Sequence, residues 1–139
     1  MILLDTSGLL AALFPDQRLH AACAELMRSD PGPFVISPFV LAEMDYLVAK
    51  LAGLDAELDL LAEVASRAYS LAPFSAADIE EARSVVEQHR DLRVGLAVAS
   101  FVVLARRLEC CDVLTLDERH FRVLRPSRAQ SFRILPADA

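Results

Sequence analysis

The sequence predicts an α/β sandwich around a central parallel sheet, and three observations carry that expectation. Short strand-like runs at Ile2–Leu4, Phe34–Ile36, Asp112–Thr115 and Phe132–Leu135 alternate with longer segments of helical periodicity. Helix-start signals follow the early runs directly, and strands that alternate with helices pair in parallel through right-handed crossovers. The apolar fraction is 55% with only 4 Gly, the balance of a helix-rich globular chain.

Each element has a local reason. Ile2–Leu4 reads as a short buried strand, and Ser7 is placed to cap a helix carrying Leu9–Leu13 that ends near Pro15. His20–Ser29 has apolar residues at helical spacing, and Asp30-Pro31-Gly32-Pro33 breaks it. After the strand Phe34–Ile36, Ser37-Pro38 supplies an N-cap with Pro at the first helical position, and that helix runs to Gly53. Asp55–Ala68 is amphipathic, and Tyr69–Ala72 reads as a third strand. Ser75 with Asp78 three residues on opens a helix to about Arg90. Beyond a loop at Asp91–Val94, the segment LAVASFVVLARRL is nearly all apolar, so it belongs at the centre. Nothing resembling a linker or repeat divides the chain, and residues 1–139 are expected to form one domain.

Composition narrows the function classes. No apolar run approaches the ~20 residues that cross a bilayer, so no membrane association is expected. No basic segment precedes the first apolar stretch, so a secretory signal is not expected. Cys23, Cys110 and Cys111 are an odd count without zinc-type spacing, which suits thiols of a reducing cytoplasm. The net charge of −6 argues against a generic nucleic-acid coat. The charge is uneven, however: residues 1–105 hold 7 Lys+Arg against 15 Asp+Glu, and residues 106–139 hold 7 against 5. All the basic side chains of that last stretch are Arg, whose forked guanidinium suits phosphate.

Ligands of parallel sheets bind beyond the carboxyl ends of the strands. Asp5 lies there after the first strand, Glu43 two turns into the helix after the second, and Asp117 just past Val113-Leu114-Thr115. Taken singly each has a bland reading: Asp5 as a helix cap, Glu43 as a solvated side chain, Asp117 as the cap of a short following helix. Three carboxylates on one edge repel one another, and a hard divalent cation such as Mg²⁺ or Mn²⁺ resolves that repulsion. A cation held so activates water and neutralises a phosphodiester, which points to nucleic-acid hydrolysis. Thr6, Ser7 and Thr115 are positioned to donate hydrogen bonds to carboxylate or phosphate oxygens. Other chemistries fit poorly. His20, His89 and His120 share no ligand spacing, the glycines are too scattered for a phosphate loop, and no serine nucleophile elbow occurs. A receiver-like phosphorylation domain needs a Lys near the acidic edge, and the one Lys, Lys50, lies well down a helix.

The runs LLDTSGLLA, SPFVLAEMDYL, DLRVGLAVAS and VLTLDERHF, in this order and spacing, resemble the PIN-domain ribonucleases, and among them the VapC toxins of VapBC toxin–antitoxin systems. The likeness covers essentially the whole chain. It implies a PIN-like three-layer α/β/α sandwich, residues 1–139 forming a single PIN domain. It also implies a homodimeric Mg²⁺- or Mn²⁺-dependent endoribonuclease of the cytoplasm that cuts structured RNA such as tRNA or ribosomal RNA. A cognate VapB-type antitoxin is implied as partner. Matched position by position, Asp5, Glu43 and Asp117 correspond to acidic metal ligands, while Asp91 and Arg93 correspond to a D-x-R element.

The resemblance breaks at one position. The family writes G-(I/L)-A-D-A at the start of the central helix, and its Asp is a principal metal ligand. Here the run is Gly95-Leu96-Ala97-Val98-Ala99, so Val98 stands where the Asp belongs. Val offers no ligand atom, and Asp91 lies seven residues upstream, roughly 10 Å along an axis if both were helical. The activity of this chain is therefore expected to be weakened or lost, and the alternative is a non-catalytic PIN domain that binds RNA or antitoxin. Three origins stay open: a substitution introduced by design, natural decay, or an active enzyme with altered metal occupancy. Arg93 and the C-terminal arginines are candidates to hold RNA phosphates.

Overall fold

Five short parallel strands form the centre of the structure, a computed structural model that describes residues 1–139. They are β1 (Ile2–Leu4), β2 (Phe34–Ile36), β3 (Ser70–Leu71), β4 (Asp112–Leu114) and β5 (Arg133–Leu135), in the order β3-β2-β1-β4-β5. Every pairing is parallel, with Leu3 opposite Val35 on one side and Val113 on the other. Ile2, Leu3 and Leu4 are all buried, although successive side chains leave opposite faces of a strand. Both faces of β1 are therefore covered, which is the condition for a parallel sheet and gives the α/β/α layering.

The helices are α1 (Thr6–Leu13), α2 (His20–Ser29), α3 (Pro38–Ala52), α4 (Leu54–Ala65), α5 (Ala76–Gln88), α6 (Leu96–Leu108) and α7 (Glu118–Phe121), with a single 3-10 turn at Arg90–Leu92. The caps expected at Ser37 and Ser75 form: Ser37 Oγ accepts from the Val40 amide at 3.1 Å, and Ser75 and Asp78 make a reciprocal capping box. The central position of α6 also holds, since every residue from Ala99 to Ala105 is buried. None of the helices is long and apolar enough to cross a membrane.

Boundaries depart from expectation in five places. Asp5, not Ser7, caps α1, because its carboxylate accepts from the Ser7 amide and the helix begins at Thr6. The amphipathic α4 stops at Ala65, where Ser66 closes it and Arg67 takes a left-handed φ of 67°. β3 holds only Ser70–Leu71, and β4 ends at Leu114, leaving Thr115 free to turn into the edge. The expected loop at Asp91–Val94 begins instead as the tight 3-10 turn.

Two packing features position the carboxyl edge of the sheet. Gly8 lets α1 lie directly on β4: a Cβ there would overlap the Leu114 carbonyl group, so only glycine allows that approach. Phe121 of α7 meets Phe101 of α6 and Phe132 edge-on, with ring centroids 5.1 and 5.3 Å apart. That aromatic row holds α7, and hence Asp117 at its start, against the core.

Candidate active site

Asp5 is the buried acid of the site, 7% exposed, at the carboxyl end of the central strand. Its Oδ2 accepts from Ser7 Oγ at 2.6 Å and from Thr115 Oγ1 at 2.7 Å. Those bonds use the single proton of each hydroxyl, so the 3.2 Å contact between Ser7 Oγ and Thr115 Oγ1 is a consequence of their shared acceptor. Each hydroxyl oxygen in turn accepts a backbone amide: Ser7 from Leu116 at 2.9 Å, Thr115 from Asp117 at 3.0 Å. Burial pushes the Asp5 carboxyl above its ordinary value, and the Ser7 and Thr115 hydrogen bonds oppose that shift.

Glu43 projects from α3 and is exposed; Thr6 Oγ1 donates to its Oε2 at 2.5 Å, which ties α3 to the start of α1. Asp117 caps α7 by accepting from the His120 amide at 3.2 Å, and its other oxygen meets His120 Nδ1 at 2.5 Å. The opposite ring nitrogen of His120 lies 3.3 Å from the Leu92 carbonyl oxygen. His120 thereby joins the last acid to the turn that carries Asp91 and Arg93. Asp91 and Arg93 are themselves exposed, and Arg93 has a left-handed φ of 53°.

The central helix begins beside this edge. Gly95 is its N-cap and offers no side-chain hydrogen bond, and the first turn holds no acid. Val98, third in the helix, is half-buried and packs against the hydrophobic core.

The chemistry of the donor set is therefore incomplete. No group of three or more acidic, histidine or cysteine side chains is gathered closely enough to hold a metal ion. Asp5 Oδ2 is held by two hydroxyls, Glu43 Oε2 by Thr6 and Asp117 by His120, and Val98 in the first turn of α6 offers no ligand atom. As they stand, these residues do not fit a complete divalent-cation site. Sequence spacing gave His120 no ligand role and Gly8 no packing role, and the structure gives each a place at the site. His120 has no ligand spacing to betray it, although its offset of three from a helix-capping acid is the spacing of a side-chain pair.

A fold of five parallel strands with this acidic carboxyl edge defines a class. Residues 2–125 match the family model described as PIN domain, and the chain belongs to the PIN-domain family. It is a homologue of the VapC ribonucleases: it is 45% identical to Ribonuclease VapC26 of Mycobacterium tuberculosis over 97% of this chain and 100% of that protein. Among solved structures it resembles Mycobacterium tuberculosis VapC20, a Sarcin-Ricin loop cleaving toxin, with a TM-score of 0.78 and 21% identity over 86% of this chain and 92% of that one. FitAcB from Neisseria gonorrhoeae also matches, at a TM-score of 0.59 and 21% identity over 88% of this chain and 91% of that chain. At that identity both structures speak to the fold alone.

Proposed function

We propose that this chain is a VapC-type toxin whose scaffold is that of an endoribonuclease for structured RNA, tRNA or ribosomal RNA, with activity weakened or lost through Val98. The observation that carries the reading is Val98 packed as an apolar residue in the first turn of α6, on the edge where Asp5 and Asp117 lie. The 45% identity to a named ribonuclease over nearly the whole chain supports the substrate class. Mg²⁺ or Mn²⁺ is the cofactor the family resemblance implies, with Asp5, Glu43 and Asp117 as its ligands. With no acid in the first turn of α6, the fourth ligand that the resemblance implies is missing. Asp5, held by Ser7 and Thr115, keeps a fixed orientation, and Thr6 and His120 do the same for Glu43 and Asp117.

The second reading, a non-catalytic PIN domain that binds RNA or antitoxin, is favoured by the same lack of ligand atoms at position 98. A VapB-type antitoxin and a second copy of the chain in a homodimer are the protein partners, in the cytoplasm. Exposed Tyr46 and Leu51 on α3, with Leu54 and Leu58 on α4, offer apolar side chains for such a partner to cover. The acidic body suits a basic antitoxin segment, and an association that ignores salt would count against that charge pairing.

Val98→Asp tests the main reading. An acid third in a helix is favoured by the helix dipole, so the substitution is compatible with α6. The expected result is Mn²⁺-stimulated cleavage of a structured RNA and growth arrest for the Val98→Asp variant and neither for the chain as written. Equal cleavage by the two would overturn the role assigned to Val98. Cleavage by neither would leave the binding module as the function.

A further inference from the structure

The basic C-terminal stretch is mostly spent inside the protein. Arg107 pairs with Asp78 at 2.7 Å, Arg122 with Asp138 and Glu118, and Arg133 with Asp112 at 3.2 Å. Arg106 donates to the Pro126 carbonyl, and Arg125 to those of Arg122 and Leu124. Arg119 and Arg128 alone of that set are engaged by nothing in the chain, and both are exposed. Arg128 lies in the loop that enters β5 at its amino end, on the edge opposite the acids. Arg119 lies in α7, one residue before His120 and two after Asp117.

His120 also decides what Arg119 stands beside. Its 3.3 Å contact with the Leu92 carbonyl brings α7 against the turn before α6, and the residue after Leu92 is Arg93. Arg93 is likewise exposed and unpaired, and its left-handed backbone, uncommon for a residue with a side chain, is fixed by the end of the 3-10 turn. Two unpaired arginines from distant parts of the sequence, each the chain neighbour of one partner in this contact, thus lie at the rim of the acidic edge. No carboxylate pairs with either arginine: Glu118, next to Arg119, is taken by Arg122 at 2.9 Å, and Asp91, two residues before Arg93, makes no ion pair.

We infer that Arg93 and Arg119 form a two-pronged phosphate clamp that seats the backbone of an RNA strand along the acidic edge. The inference rests on the reading of the chain as an RNA-directed PIN domain and specifies where the strand is gripped. A polyanion approaching Asp5, Glu43 and Asp117 is repelled, so affinity there needs cations at the rim. Guanidinium forks meet phosphate oxygens bidentately, which a carboxylate-rich peptide partner does not require of an already acidic edge.

Fluorescence anisotropy with a labelled RNA hairpin in EDTA measures binding without cleavage. Its failure is therefore separable from failure of the Val98→Asp cleavage test. Arg93→Ala and Arg119→Ala are each expected to weaken binding several-fold, and each to lower the slope of log affinity against log salt by about 1. Arg93→Lys and Arg119→Lys keep the charge and should keep the salt slope while losing part of the affinity. Arg67→Ala, unpaired and exposed in the link entering the amino end of β3, is the control and should bind as the parent does. The clamp is overturned if the two alanine variants match that control, or if they lose affinity with the salt slope unchanged. It is equally overturned if the parent does not bind the hairpin, or if the variants lose binding only to a polyglutamate peptide.

Discussion

Thr115 and Asp5 are 110 positions apart in the chain, yet the threonine hydroxyl donates to the aspartate carboxylate at 2.7 Å. This bond joins the ends of β4 and β1, and Thr115 is 1% exposed. Thr115→Val keeps the shape and removes the hydroxyl, leaving Asp5 one donor short and the Asp117 amide without its acceptor. The expected cost is about 1–3 kcal/mol, read as a lower urea midpoint with an unchanged m-value.

Asp5→Asn should raise stability at neutral pH. Burial raises the folded-state pKa of Asp5 above the ordinary 3.8, so the folded chain holds this proton where the unfolded chain has released it. Stability therefore falls as pH rises from 3.8 through the folded-state value, and the deficit is complete above it. Asn caps helices as well as Asp does and carries no charge to desolvate. The Tm gain of Asp5→Asn should be present at pH 7 and vanish below the ordinary carboxylate value, and a gain that is independent of pH would contradict this account.

Gly8→Ala separates helix propensity from packing. In a free helix the change stabilises by about 1 kcal/mol. Here the new methyl group runs into the Leu114 carbonyl, so α1 must move off β4. The net effect is expected to be a loss of about 3 kcal/mol, seen as a lower Tm together with weaker protection of the Asp5 amide in hydrogen exchange.

The C-terminus is fastened by charge. Arg122 grips both oxygens of Asp138 at 2.8 Å, and the Ile134 amide donates to the same carboxylate at 2.8 Å. The Arg122 hydrogen bonds, with the Ile134 amide behind them, hold the Asp138 carboxyl below its ordinary 3.8. The stability this gives is present above that value and is lost as pH falls through the lowered one. Asp138→Asn should lower Tm at pH 7, and the difference from the parent should close in strong acid. Thermal melts across that range check it.

How much could be read in advance follows from the range of each interaction. Ser37-Pro38 and Ser75…Asp78 were legible because caps are settled within four residues. Asp5, Glu43 and Asp117 were legible as a candidate set because each follows a strand, and parallel strands share one carboxyl edge. Their internal partners were not. Nothing local marks Thr6 as the donor to Glu43, 37 residues on, or His120 as a neighbour of Leu92, 28 residues back. The arginines misled in the same way: the charge count of residues 106–139 is real, but Arg107, Arg122 and Arg133 are spent on acids that only folding brings near.

The sequence by itself determined the alternation of strands and helices, the central place of α6, the acidic edge and the apolar residue at position 98. These depend on periodicity, capping and residue identity, all of which act over a few residues. Tertiary structure alone decided that Asp5 is buried under two hydroxyls, that Gly8 must lack a side chain, and that Leu92 and His120, the sequence neighbours of the unpaired Arg93 and Arg119, meet. Those outcomes depend on which surfaces meet when the layers close, and a contact across 28 or 110 residues leaves no trace in local pattern.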